Sequence, residues 1–307
     1  MGRYVIRRLL QMIPVFFGAT LLIFLMVNVM GDPIAGLCGE RQCDPATAAR
    51  LRSEFGLDKP VWQQYATYMG NVFTGDFGTA FNGQKVTELM GTAFPVTIRL
   101  TVVAIVFEIV IGISLGVVTG LRRGRPVDTG VLILTLVVIS IPTFVTGLLL
   151  QLLLGVQWGV IKPSVSPEAP FNELLIPGLV LASVSLAYVT RLTRTSIAEN
   201  ARADYVRTAV AKGLPRRRVV IRHLLRNSLI PVVTFIGTDV GALMGGAIVT
   251  ERIFNIHGVG YQLYQGILRQ NSQTVVGFVT ILVLVFLAAN LIVDLLYAVL
   301  DPRIRYA

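Results

Sequence analysis

The sequence predicts an all-α polytopic membrane protein with six transmembrane helices. Three observations carry this expectation. Hydrophobic residues make up 54% of the 307 and charged residues only 14%, where a soluble domain carries about 25% charged residues. Mean hydropathy is +0.70. The apolar residues gather in six runs of roughly the ~20 residues that cross a bilayer as a helix.

The first run covers about 9–30 and follows Arg3, Arg7 and Arg8. A cleaved signal peptide would have an apolar core of only ~7–15 residues and a small-residue cleavage site. This run is longer and leads into Gly31-Asp32-Pro33, so an uncleaved span is expected. Residues 31–95 form a long polar loop with its own helix signals. Asp44-Pro45 reads as a helix start and Gly56 as a stop; Pro60 opens a second helix that fades before Gly75-Asp76-Phe77-Gly78. Cys38 and Cys43 lie in this loop, and a disulfide between them is predicted for the oxidising side of the membrane. The second span covers about 96–120. The third covers about 130–156, with Pro142 as a kink. A short proline-rich loop precedes the fourth, about 173–190. The fifth covers about 229–250 and is followed by a turn-rich loop from Glu251 to Gly260. The sixth covers about 276–300, before a tail with Arg303 and Arg305.

Between the fourth and fifth spans, 191–228 is the only long polar interval between two very apolar halves. It reads as two short helices meeting at a corner. Gly213 can take the left-handed conformation that closes a helix, and Pro215 suits the first turn of the next. In the second helix Val220, Ile221, Leu224 and Leu225 share one face, and Arg218, Arg222 and Arg226 recur every fourth position on another. In the first, Asp204 is well placed against the helix dipole. Ala209 lies four residues before Gly213, making a small face able to approach another surface. Tyr205, four earlier again, offers an aromatic docking anchor. A cationic corner hung between spans suits the grip of a soluble partner.

Charge sets the orientation. With the N-terminus inside, the inner segments hold eighteen of the 27 Lys and Arg, against four acids: Asp128, Glu199, Asp204 and Asp301. This positive-inside bias places both termini and the 191–228 region in the cytoplasm. The net charge of +10 does not point to nucleic acid, because most of the basic residues flank apolar spans.

Two spans carry glycine at every fourth position: Gly112, Gly116 and Gly120 in the second, Gly237, Gly241 and Gly245 in the fifth. Such rows let helix backbones approach closely in lipid. Glu108, Asp239 and Asp294 sit inside spans, where a lipid-facing carboxylate is costly. Each is therefore expected to line a translocation path or to make an interhelical hydrogen bond.

Enzyme signatures are missing. There is no Gly-x-x-x-x-Gly-Lys-Ser/Thr loop to bind ATP, and no His-Glu-x-x-His. His223 and His257 fall on opposite sides of the membrane in the expected topology, which excludes a shared metal site or a catalytic triad. An ion-coupled secondary transporter, with one of the three carboxylates as proton carrier, would call for inverted repeats with matching broken helices. The sequence displays none.

The polar interval resembles the EAA loop of ABC-importer permeases. Arg207-Thr208-Ala209 stand in the Glu-Ala-Ala positions, Gly213 keeps the glycine, and His223-Leu224-Leu225-Arg226 fall where Ile-x-Leu-Pro stands. The run from Asp204-Tyr205-Val206 to Ala211-Lys212-Gly213-Leu214, with His223 and Arg226-Asn227, is similar to the "B" permease subunit of the dipeptide/oligopeptide/nickel branch. Arg7-Arg8-Leu9, Gly31-Asp32-Pro33, Gly56-Leu57-Asp58-Lys59-Pro60, Gly75-Asp76-Phe77-Gly78, Glu251 to Phe254 and Gly258-Val259-Gly260 extend the resemblance over nearly the whole chain. His257 stands where a proline is usual.

The resemblance implies an ABC type I importer permease architecture, with a cytoplasmic coupling helix and a long extracytoplasmic loop after the first helix. It implies a bacterial plasma-membrane location and four partners: a second permease, two ATPases and an extracytoplasmic substrate-binding protein. It further implies no cofactor and no catalysis in this chain, since ATP and magnesium belong to the ATPases. Asp204, Tyr205, Thr208, Ala209, Lys212, Gly213, Leu214, His223, Arg226 and Asn227 become the ATPase-coupling residues. Di- or oligopeptide leads as substrate, with nickel, glutathione or haem behind.

Overall fold

The computed structural model describes residues 2–30, 44–54, 56–80 and 83–300. In chain order its helices are α1 (Gly2–Met30), α2 (Pro45–Glu54), α3 (Val61–Phe73), α4 (Val86–Leu121), α5 (Pro126–Ser140), α6 (Thr143–Gln157), α7 (Leu175–Asn200), α8 (Asp204–Ala211), α9 (Arg216–Arg218, Val219–Leu225 and Arg226–Ser228), α10 (Ile230–Ile253), α11 (Val259–Leu268) and α12 (Ser272–Leu300). Among the described residues the one β pairing is an isolated bridge between Thr79 and Lys85. The all-α expectation holds.

Among the described residues five helices are long and apolar enough to cross a membrane: α1, α4, α7, α10 and α12. α5 and α6 make a sixth span if counted together, and they are bent by 98°. The bend sits where Pro142 predicts it. A proline drives the residue before it out of the helical region, and Ile141 is extended at φ −92°, ψ 122°. Pro142 itself is non-helical and stands as the cap of α6.

Two helices outrun the apolar runs that reveal them. α4 begins at Val86, where Thr87, Glu88 and Thr92 make the sequence look like loop; Val86, Met90 and Ala93 form its buried side. α7 continues past Arg191 and Arg194 to Asn200. α11 occupies part of a stretch read as turn-rich, because Gly258-Val259-Gly260 resembles a turn while capping a helix.

One compact unit comprises 1–98 and 255–288. In it α3 lies along α1. The Tyr65 hydroxyl donates to the Phe17 carbonyl oxygen at 3.1 Å and is 2.9 Å from Thr20 Oγ1. Phe24 packs on the rings of Tyr65 and Tyr68. Tyr68 and Thr280 of α12 pair their hydroxyls at 2.8 Å. Phe94 of α4 stacks on Phe278 of α12, and the Val259 N–H donates to Thr97 Oγ1 at 2.8 Å. Gly75-Asp76-Phe77-Gly78 forms a turn with both glycines at positive φ and Phe77 buried.

The other unit comprises 99–254 and 289–307, with α7 at its centre. The glycine row of α4 packs on α7 backbone. A Cβ placed at Gly112, Gly116 or Gly120 would lie 3.3, 2.7 or 2.9 Å from the carbonyl oxygens of Leu186, Thr190 and Arg194 respectively. These acceptors are themselves four residues apart, so the two helices run side by side in register over this stretch. The Gly237–Gly245 row behaves differently: Gly237 meets Val293 of α12, and Gly245 meets nothing of this chain within 4 Å. The Gln151 amide donates to the carbonyl oxygens of Pro163 (2.7 Å) and Ile253 (2.8 Å), tying α6 to the end of α10.

Candidate functional site

The corner between α7 and α10 is built as the sequence suggests at its apex and differently on its flanks. α8 ends in a left-handed glycine closure. Gly213 has φ +71°; its N–H donates to Val210 O at 2.9 Å, and the Leu214 N–H reaches Ala209 O at 3.3 Å. This pair of bonds satisfies the last carbonyls of the helix. Nothing lies within 4 Å of the place a Gly213 Cβ would occupy, so the demand there is conformational rather than spatial. Pro215 caps α9 and accepts from the N–H groups of Arg218 and Val219. It stands one position before the first turn assigned to it from sequence.

Two expectations are corrected. Ala209 does not offer a free small face. It is buried with Val206 against Ile197, Val219 and Leu224, and Leu214 and Leu225 cover the same cluster. The reason is the acute corner, which folds α8 back onto the end of α7. The second correction concerns α9. Val219–Leu225 is a π-helical turn, which widens the side-chain repeat. Val219 and Leu224, five apart, therefore point inward together, while Ile221 is 55% exposed.

The outward face of the corner carries Asp204, Tyr205, Thr208, Lys212, Arg226 and Asn227, with His223 partly covered. Tyr205 donates to Asn200 Oδ1 at 2.8 Å, which holds its ring against the end of α7. Asp204 pairs with Arg207 at 3.5 Å with both side chains in solvent, an arrangement contributing little. Val210, 61% exposed, and Ile221 are apolar side chains on this surface that sequence reasoning missed.

The corner is welded to α7. Ser196 Oγ donates to Ser228 O at 2.7 Å, Ser228 Oγ donates back to Ser196 O at 3.3 Å, and both side chains are buried. Asp128, in the first turn of α5, accepts from the Gly124 N–H and from both Arg194 nitrogens facing it, the Nη2 contact being 2.8 Å. This ion pair is buried on the acid side and pins the α4–α5 turn to α7 through Arg194, the residue whose carbonyl oxygen Gly120 abuts. Sequence reading counted Asp128 only as a charge. A helix-start acid and an arginine inside an apolar helix were the available signals.

Of the three intramembrane carboxylates, Glu108 and Asp239 come together. Glu108 is completely buried at the head of a π-helical turn, Glu108–Ile113. Its carboxyl faces that of Asp239, yet neither Glu108 oxygen nor Asp239 Oδ2 meets a donor. Asp239 and Asp294 are half-buried. No group of three metal-ligating side chains assembles among the described residues. Cys38 and Cys43 lie outside the described residues.

Comparison with known proteins agrees with this architecture. Residues 109–306 match the family described as "Binding-protein-dependent transport system inner membrane component", and residues 1–104 match its N-terminal companion. The chain is 38% identical over 337 residues to the dipeptide transport system permease protein DppB of Escherichia coli K12, covering 100% of this chain and 99% of that protein. It is 37% identical over 331 residues to the di/tripeptide transport system permease protein DppB of Pseudomonas aeruginosa UCBPP-PA14, covering 99% and 98%. Against the glutathione transport system permease protein GsiC of E. coli K12 it is 34% identical over 308 residues, the full length of both. The chain therefore belongs to the inner-membrane permease components of binding-protein-dependent transport systems, the multi-pass membrane subunits of ABC importers.

Proposed function

We propose that this chain is one of two permease subunits of an ATP-driven importer of di- and oligopeptides, and that it takes up the ATPase stroke at the 204–227 corner. The observation that carries the substrate class is the 38% identity to a dipeptide permease over essentially both full lengths. The membrane passage forms with a second permease. A binding protein delivers substrate from outside, and two cytoplasmic ATPases hold the ATP and magnesium, leaving this chain without a cofactor or a reaction of its own. The orientation supporting this is the positive-inside bias, with both termini and the corner in the cytoplasm.

The mechanical route follows the packing. ATPases gripping the outward face, with Tyr205, Val210 and Ile221 as apolar anchors and Lys212 and Arg226 as cationic ones, displace α8 and α9 together. The shared core and the Ser196–Ser228 pair pass that displacement to α7. α7 cannot move without α4, because the glycine row leaves no slack between their backbones. Interfaces packed this closely move as bodies rather than deform.

Glutathione is the second reading, supported by 34% identity to a glutathione permease; chemically it is a modified tripeptide. The test is uptake into proteoliposomes holding the complete complex, with its cognate binding protein outside and ATP inside. Dipeptide uptake that excess glutathione does not reduce supports the first reading. Glutathione uptake without dipeptide uptake supports the second.

A further inference from the structure

The loop between the first two spans contains a helix whose position is at odds with an aqueous setting. α3 touches α1 at Phe17, Thr20 and Phe24 and touches α12 at Thr280. Thr20 is seven residues before the end of the apolar span of α1 at Val27, roughly 10 Å along the helix. Thr280 is eight residues after the start of α12 at Ser272, roughly 12 Å. Two spans thus place Tyr65 and Tyr68 at about the same depth, within one half of a hydrocarbon layer ~30 Å thick.

The surface of α3 divides into three sectors at the helical repeat of roughly 100° per residue. Tyr65, Tyr68, Met69 and Val72 form the sector packed on protein. Next to it run Trp62, Ala66, Gly70 and Phe73. All are exposed; Trp62 is 73% and Phe73 71% exposed, and nothing lies within 4 Å of a Cβ at Gly70. Beyond it come Gln63, Thr67, Asn71 and Thr74, exposed and polar. α1 also exposes Phe17, Leu21, Leu22 and Leu25 over the same depth, a lipid-facing surface by virtue of the span it belongs to.

We propose that α3 is an interfacial membrane helix, with Trp62, Ala66 and Phe73 against the acyl chains and Gln63, Thr67 and Asn71 toward water or headgroups. The lipid contact continues that of α1. In the orientation proposed above the leaflet is the outer one. Interfacial helices show this combination of one apolar and one polar face, with tryptophan at the boundary. The inference rests on the depth of α3 and not on which substrate is carried.

The test places a nitroxide at residue 66 or 71, by Ala66→Cys or Asn71→Cys in a Cys38→Ser/Cys43→Ser chain assembled with cysteine-free partners in nanodiscs. Both positions are exposed and point away from the packed sector, and ATP-driven uptake confirms that each labelled complex is assembled. The ratio of collision with oxygen, which concentrates in acyl chains, to collision with a water-soluble nickel chelate is expected to be several-fold higher at 66 than at 71. Equal ratios dominated by the nickel chelate would place α3 in water and overturn the proposal. Exclusion of both probes at 66 would show a protein partner on that face and overturn it as well. A label-free reading comes from brominated lipid: the quenching lost on Trp62→Phe, in a Trp158→Phe background, should be large, and no loss contradicts the lipid contact.

Discussion

Gly116→Ala is the sharpest test of the packing between α4 and α7. The added Cβ would lie 2.7 Å from the Thr190 carbonyl oxygen and against the Thr193 side chain. The nearest atom is the Thr193 Cβ at 2.4 Å, which is fixed to its backbone, as the carbonyl is fixed in the helix ladder. Relaxed carbon–carbon contacts begin near ~3.5 Å, so the helices must part by about 1 Å. Gly112 and Gly120 abut the same helix, so the separation spreads along three turns. Overpacking of this kind costs about 1–3 kcal/mol. Alanine regains about 1 kcal/mol of helix preference over glycine, leaving a net loss of roughly 1 kcal/mol or slightly more. Gly130→Ala is the control, since nothing of this chain lies within 4 Å of its Cβ. Thermal melting of the purified complex should show Gly116→Ala lowered by a few degrees and Gly130→Ala unchanged or raised. Equal melting of the two variants would refute the claim that α4 and α7 meet backbone to backbone.

Three further outcomes follow from the geometry. Glu108 and Asp239 face one another with no other donor on either Glu108 oxygen, an arrangement suited to one shared proton; Glu108→Gln keeps a donor toward Asp239 and should change the stability of the complex by less than about 1 kcal/mol, whereas strongly reduced yield would mean that Glu108 pairs with a cation. Cysteines placed at Ser164 and Arg216, both exposed, should label from opposite sides of the membrane, and labelling of both from outside would overturn the six-span orientation. The Glu173 carboxylate accepts from Lys162 and from the Ser166 N–H and hydroxyl, which hold it down to about 2 against an ordinary 4.5. Because the folded value is depressed, its contribution is complete above about 4.5 and is lost as the pH falls toward about 2. Exchange protection of the Ser166 amide should follow that course and become independent of pH in this window in Glu173→Gln; loss of protection already near neutral pH would contradict it.

The parts of the fold that announce themselves are those where one physical rule dominates. Six apolar runs fix the spans because the bilayer admits few alternatives. Gly213 is legible because a left-handed closure before Pro215 has few other residues available to it. The row at Gly112, Gly116 and Gly120 is legible as spacing, although only the structure reveals which helix it meets and that the Gly237–Gly245 row does not repeat the arrangement. Other features depend on long-range placement. Ala209 faces inward because α8 folds back on α7, which no local pattern encodes. Ile221 faces out because a π-helical turn shifts the 3.6-residue repeat on which its assignment rested. The Asp128–Arg194 pair joins residues 66 apart in sequence, each unremarkable alone. α11 hides behind glycines that usually mark turns.

The most direct test of coupling through the corner is uptake and ATP hydrolysis by Gly213→Leu beside Gly213→Asn in the reconstituted complex. At φ +71° a leucine costs about 1–2 kcal/mol, while asparagine visits this region more readily. Space is not at issue, since nothing crowds the site. Gly213→Leu should insert and assemble with the second permease, yet lose the ATPases or hydrolyse ATP without moving substrate, and Gly213→Asn should restore a large part of transport. Wild-type uptake by Gly213→Leu, with the ATPases retained, would show that the stroke enters the membrane subunit somewhere else.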